Sequence, residues 1–162
     1  MIILGIDPGL RYAGYGIAKK EQTKTFLLDY GCLNLPQKEP IPVRLKLLYD
    51  FFLVKIIEYK VTDLALETPF LGKNPQNFMK LGYVRGALYL LAIEHNLVLH
   101  EFAPREIKQA ITGWGAAPKD QVARVILNLF PKMDAPKRED VTDALAVTLT
   151  GLWRSKQMIL RK

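Results

Sequence analysis

A chain of 162 residues with 49% hydrophobic and 24% charged side chains is sized for one domain, residues 1–162, with a sizeable core, which excludes wholesale disorder and any need for a disulfide or metal staple. A lone cysteine, Cys32, excludes an internal disulfide, and the longest apolar stretch, Leu81 to Ile93, is interrupted by Arg85 and ends at Glu94, too short to span a bilayer. The net charge of +7, from 23 Lys and Arg against 16 Asp and Glu, suits a polyanionic partner, most commonly nucleic acid.

Met1 to Asp7 reads as a buried strand, apolar up to its final carboxylate. It lacks the basic start and small-residue cleavage site of a signal peptide, which with the single cysteine predicts a cytoplasmic protein. Pro8-Gly9 breaks the strand, and Ala13 to Lys19 predicts a second one after a tight connection. Lys24 to Leu35 predicts a third, with Gly31 marking a bulge. Short turns between the three imply an antiparallel meander. Pro36 to Pro42 is a proline-rich loop, after which Ile41, Leu45, Leu48, Phe52, Ile56 and Tyr59 follow helical spacing over about five turns. Thr62 to Glu67 reads as a short strand, Asn77 to Asn96 as a second long helix and Leu97 to Phe102 as a fifth strand. Pro104 to Ile111 and Pro118 to Phe130 each place proline at the first helical position. A last helix starts near Glu139 and runs to about Ile159, and beyond Ala144 the chain carries Arg154, Lys156, Arg161 and Lys162 but no acid.

A strand reached through a helical crossover lies parallel to its neighbour. The expected architecture is therefore α/β, a five-stranded mixed sheet flanked by helices, with the most apolar strand, the first, at its centre. If the fourth strand lies beside it, Asp7 and Glu67 meet at one edge of the sheet.

Four carboxylates stand out against that frame. Asp7 and Glu67 each close an apolar run, and Asp143 is the only charged residue between Val141 and Trp153. Asp140 lies three residues before Asp143, on the same helical face and about 5–6 Å away at Cβ. Singly, each has a structural explanation: Asp140 favours the N-terminal end of a helix, and Asp7 suits a turn before Pro8-Gly9. Glu101 also ends an apolar strand and competes with Glu67. Together, clustered carboxylates repel and resist burial, a conflict that a divalent metal removes. An oxygen-only donor set points to Mg²⁺ or Mn²⁺ rather than zinc, and His95 and His100 have no paired ligand spacing.

The motifs in order resemble the RuvC family of Holliday-junction resolvases over nearly the whole chain. Gly5-Ile6-Asp7-Pro8-Gly9 with Gly14-Tyr15-Gly16 is similar to the family's first motif, and Glu67-Thr68-Pro69-Phe70 to its second acidic strand end. Lys73-Asn74, Lys80-Leu81-Gly82 and Arg85-Gly86 resemble the start of its long helix. Ala103-Pro104-Arg105-Glu106-Ile107-Lys108-Gln109 and Lys119-Asp120-Gln121-Val122 resemble its basic segments, and Asp140-Val141-Thr142-Asp143-Ala144-Leu145-Ala146 its closing paired-acid helix. The short Gly-x-Gly segment appears as Gly113-Trp114-Gly115, with an unusually bulky middle residue.

The resemblance implies a ribonuclease-H-like fold and a homodimer that nicks two strands of a four-way DNA junction, leaving 5′-phosphate and 3′-hydroxyl ends. It assigns Asp7, Glu67, Asp140 and Asp143 as catalytic metal ligands, selecting Glu67 over Glu101, with two Mg²⁺ per site and Mn²⁺ as a substitute. Lys108 and Lys119 would sit near the phosphate. It implies DNA contacts for Phe70, Lys73, Asn74, Asn77, Lys80 and Arg105 as well as the two lysines, and partners of the RuvA and RuvB type, junction-binding and branch-migration proteins. For Phe70, composition favours the core and the resemblance favours stacking on an unpaired base. Gly82 and Gly86, four apart, suit close helix packing within the chain or, on the resemblance, a subunit contact; Phe78, Tyr83 and Tyr89 read as core or subunit contacts.

Three other functions compete. Asp7-Pro8-Gly9 with Gly14 and Gly16 also suits the phosphate hairpin of actin-like and sugar-kinase ATPases, which need a second domain that 162 residues do not provide. A small ribonuclease-H-like enzyme acting on RNA is closer. A non-catalytic DNA-binding module is opposed by acids at all four positions.

Overall fold

The computed structural model describes residues 1–69 and 75–154. In chain order the elements are β1 (Ile2–Asp7), β2 (Tyr12–Glu21), β3 (Lys24–Asn34), α1 (Ile41–Tyr59), β4 (Asp63–Glu67), α2 (Pro75–Glu94), β5 (Val98–Phe102), α3 (Pro104–Thr112), α4 (Lys119–Leu129) and α5 (Glu139–Arg154). The sheet order is β3-β2-β1-β4-β5. β1–β2 and β2–β3 are antiparallel, joined by short turns, whereas β4 and β5 each follow a helical crossover and run parallel to their neighbours. The meander, the parallel crossovers and the central place of β1 match the sequence expectation.

β1 is central because both of its faces are covered. Ile3, Leu4 and Ile6 are fully buried, but they serve two different cores. Leu4 and Ile6, with Leu64 and Leu66 of β4, pack under α1 and α2 against Leu48, Phe52 and Leu88. Ile3 and Ala65 face the other way, toward Ile107, Ile126, Leu145 and Leu149 of α3, α4 and α5. Side chains alternate along a strand. Asp7 therefore shares the α5 face with Ile3, and Glu67 shares it with Ala65.

α5 lies close against the sheet, and glycines at the contact permit it, Gly5 and Gly14 among them. A Cβ at Gly5 would fall 2.2 Å from Thr148 Oγ1, and one at Gly14 would fall 1.9 Å from the backbone oxygen of Asp140. The buried Thr148 hydroxyl lies 3.2 Å from the Gly16 carbonyl and 2.8 Å from that of Ala144, which satisfies it at the helix–sheet contact.

Several details differ from the sequence reading. The β2–β3 register shifts between Ile17 and Ala18, which pair with Asp29 and Leu27, so Leu28 rather than Gly31 is the extra residue. Gly31 pairs with Tyr15, and a Cβ there would meet the Tyr15 ring at 3.0 Å; its role is to leave room for that ring. Pro118 is the residue before α4 and not its first helical position. The described part of α2 starts at Pro75, two residues earlier than expected, and that of α5 ends at Arg154. Gly82 and Gly86 have no atom within 4 Å of an added Cβ, so neither mediates helix packing among the described residues. His100 is a satisfied core histidine: its Nε2 lies 2.7 Å from Asp63 Oδ1, both residues being buried. Burial alone would raise the Asp63 carboxyl, but the bonds from His100 and Thr62 outweigh it and hold the group below its ordinary value. No helix among the described residues is long and apolar enough to cross a membrane.

Candidate active site at the edge of the central strands

Parallel pairing of β1 with β4 puts the carboxyl ends of both strands at one edge of the sheet. The last paired residues are Ile6 and Leu66, so Asp7 and Glu67 are the next step on each strand. α5 starts above the same edge, with Glu139 and Asp140 in its first turn, where the helix dipole favours negative charge. One cavity of about 170 Å³ is lined by Asp7, Glu67 and Asp143 together with Lys108 of α3 and Lys119 of α4. Pro104, Ile107, Val122 and Ala146 supply its apolar wall.

The electrostatics of this cavity are tense. The Asp7 carboxyl is pushed up to about 7, first by burial and then by the charges of Asp143, Glu67 and Asp140, with Lys119 opposing. Glu67 is also raised, by burial and then by Asp143, with Lys119, Lys108 and Arg85 opposing. The other three predicted acids are thus close enough to act on Asp7.

Two of them already carry counter-ions. Lys119 Nζ lies 2.9 Å from Asp143 Oδ2, a bond that raises the lysine, and Arg138 Nε lies 2.9 Å from Asp140 Oδ2. Asp140 does not line the cavity with the other three; its backbone and Cβ pack against Gly14 while its carboxylate turns to Arg138. As they stand, no three Asp, Glu, His or Cys side chains among the described residues form a group able to hold one metal ion. The site is therefore partly neutralised by its own basic residues, Lys119 and Arg138.

The choice between Glu67 and Glu101 has a structural reason. Buried Arg85 pairs with the Glu101 carboxylate and donates to the Glu67 backbone oxygen, and the Tyr89 hydroxyl lies 2.6 Å from Glu101. Glu101 is thereby tied to α2, leaving the Glu67 side chain for the cavity. The sequence reading missed this role of Arg85 and missed Arg138 altogether. The signal for Arg85 was there: one cation inside the apolar stretch of α2, and an acid left over at the end of β5.

Of the remaining predicted positions, Lys108 and Lys119 line the cavity. Arg105 does not; it faces a separate groove with Gln109, Trp114 and Arg154, and Trp114 is 55% exposed. Asn77 and Lys80 line a further cleft on the β1–β2 side of α2. Phe70, Lys73 and Asn74 lie outside the described residues, as does the tail beyond Arg154.

Comparison with known proteins shows the family and the fold. The family model described as crossover junction endodeoxyribonuclease RuvC matches residues 3–151. A RuvC from Pelodictyon phaeoclathratiforme is 43% identical over 154 residues, covering 95% of this chain and 81% of the relative. One from Chloroherpeton thalassium is 41% identical over 158 residues, covering 98% and 85%. The solved structure of T. thermophilus RuvC in complex with Holliday junction substrate superposes with a TM-score of 0.87 at 27% identity, over 94% of this chain and 93% of that one. A second structure of Thermus thermophilus RuvC gives 0.83 at 28%, covering 94% of each. The mixed sheet is the ribonuclease-H-like one expected, and the chain belongs to the RuvC family of crossover junction endodeoxyribonucleases.

Proposed function

We propose that this chain is a structure-specific endonuclease that resolves four-way DNA junctions by paired nicks, leaving 5′-phosphate and 3′-hydroxyl ends. The observation that carries the reading is one cavity holding Asp7, Glu67 and Asp143 beside Lys108 and Lys119, with Asp7 pushed up to about 7. The donor set fits a hard divalent cation: every acid offers oxygen, and burial with like charge is the conflict such a cation relieves. Asp7, Glu67, Asp143 and Asp140 would hold Mg²⁺, two per site, with Mn²⁺ as a substitute. When bound, the metal supplies Lewis-acid stabilisation of the phosphate and a more acidic water.

The chain's own residues do the rest. Lys108 and Lys119 would hold non-bridging oxygens of the scissile phosphate and offset the charge that grows there. Transfer of Lys119 from Asp143 to the phosphate would free that carboxylate for its ligand role. Pro104, Ile107 and Val122 limit water in the cavity, which strengthens these interactions.

A labelled four-way junction is expected to be bound and nicked in preference to a linear duplex of the same sequence at matched salt, because nonspecific affinity falls steeply with salt. Equal cleavage of an RNA–DNA hybrid would favour the ribonuclease reading instead.

Two symmetric cuts need two sites, hence a homodimer. The support for an interface on α2 is its outward face: Met79, Tyr83, Leu90 and Ile93 are 45–60% exposed, and no described atom lies within 4 Å of a Cβ added at Gly82 or Gly86. Leu90→Glu is expected to shift the protein from dimer to monomer in sedimentation without lowering its helix content, and to uncouple the two nicks. A variant that stays dimeric would move the interface elsewhere. Partners of the RuvA and RuvB type and a cytoplasmic location belong to the same reading and rest on the family.

A further inference from the structure

A second cleft of about 320 Å³ opens beside the catalytic edge, lined by Leu10, Arg11, Gln37, Arg44, Lys80 and Leu81. Three cations from three separate segments converge there, and no carboxylate among the described residues lines it. Among the described residues, none of Arg11, Arg44 and Lys80 forms an ion pair, whereas Lys19, Lys46, Lys55 and Arg124 all do. Arg44 is fixed by neutral groups only: its Nη1 lies 2.9 Å from the Leu10 carbonyl oxygen and 3.2 Å from Gln37 Oε1. Its Nε is buried without a hydrogen-bond partner among the described residues. Gln37 Nε2 donates to the carbonyls of Leu10 and Leu35, both at 3.0 Å, and the Leu35 amide donates to the Arg11 carbonyl at 2.9 Å. The floor of the cleft is therefore held rigidly while no described residue compensates its charge.

Like charges gathered in a concave site disfavour one another unless an anion joins them. We propose that this cleft is a second phosphate site for the DNA backbone, separate from the cutting site, in which Arg11 and Lys80 grip a non-scissile phosphate above the fixed charge of Arg44. The proposal rests on the nuclease reading above. Arg11 follows Asp7 by four residues, so their Cα atoms lie within about 14 Å. The cleft therefore lies no more than about four nucleotide steps, at 3.4 Å of axial rise each, from the cutting site. A grip at that spacing fixes the strand's register and so selects which phosphodiester enters the cavity.

The test measures junction affinity of the full-length protein against salt, for wild type, Arg11→Ala, Lys80→Ala and the double variant. Each single change is expected to weaken binding roughly tenfold, equally for junctions of different sequence, and to lower the log–log salt slope by about 1. Arg11→Lys and Lys80→Arg should restore the slope, which a merely structural role would not produce. Cleavage at saturating DNA should persist, with altered choice among neighbouring phosphodiesters. An unchanged slope in the double variant overturns the site, as does loss of cleavage at saturating DNA with affinity intact. Inorganic phosphate is titrated in parallel: saturable phosphate binding lost in the variants, with the DNA slope unchanged, assigns the cleft to a free anion and overturns the DNA role. If wild type neither prefers nor cuts junctions, the nuclease reading fails, and the slope on linear duplex still decides whether this cleft binds DNA phosphate.

Discussion

Asp7→Asn is expected to abolish Mg²⁺-dependent junction cleavage, by about 10³-fold or more, and at the same time to raise the melting temperature of the metal-free protein at pH 8. The two effects share a cause. In the folded protein the Asp7 carboxyl titrates at about 7 instead of 3.8, so the folded state binds this proton more tightly than the unfolded one. The associated stability is fully present below about pH 4 and is lost as pH rises through 7. The loss is at most about 4 kcal/mol in the absence of metal. Asparagine carries no charge and escapes it. For a chain of this size the gain should be several degrees at pH 8, shrinking toward zero near pH 4. Calorimetry in chelator at both pH values, beside a cleavage assay, checks it. A variant that melts lower than wild type at pH 8 would show that the Asp7 charge supports the fold, against the burial argument.

Gly14→Ala should damage catalysis without touching any carboxylate. The new methyl would lie 1.9 Å from the Asp140 carbonyl oxygen and 2.4 Å from its carbonyl carbon, backbone atoms that cannot rotate away. The first turn of α5 has to lift from β2, carrying Asp140 and Asp143 with it. Overpacking of this kind costs about 1–3 kcal/mol, so the protein should still fold, with helix content close to wild type. Cleavage should fall about 100-fold or more, because positioning errors near 1 Å are that costly. Junction binding should change little. Wild-type cleavage would mean that α5 is free to shift and that the acids do not need their present spacing. Gly82→Ala is the contrast: with no described atom within 4 Å of the new methyl, the change should leave the single chain as stable or more so.

What could be read from sequence followed from periodicity and from where apolar runs end. The unbroken apolar start marked β1 as central, and the helical crossover to β4 made Asp7 and Glu67 neighbours. Destinations of long side chains were not readable. Nothing in Lys137-Arg138-Glu139 indicates that Arg138 reaches Asp140 and lies 3.3 Å above the centre of the Tyr12 ring, because that contact depends on how α5 settles on β2. Glu67 and Glu101 end adjacent parallel strands and look alike from composition; the burial of Arg85 separates them. The Leu28 bulge is a property of pairing between two strands and leaves no local signature, which is why Gly31 looked the better place for it.

Because Gly5 and Asp7 are two residues apart, as are Ala65 and Glu67, insertion or deletion of a single residue in either interval would turn the acid away from α5 and into the layer occupied by Phe52 and Leu88. Length changes should therefore be confined to the connections, while each acid stays an even number of positions from its reference residue in any descendant that still cuts DNA.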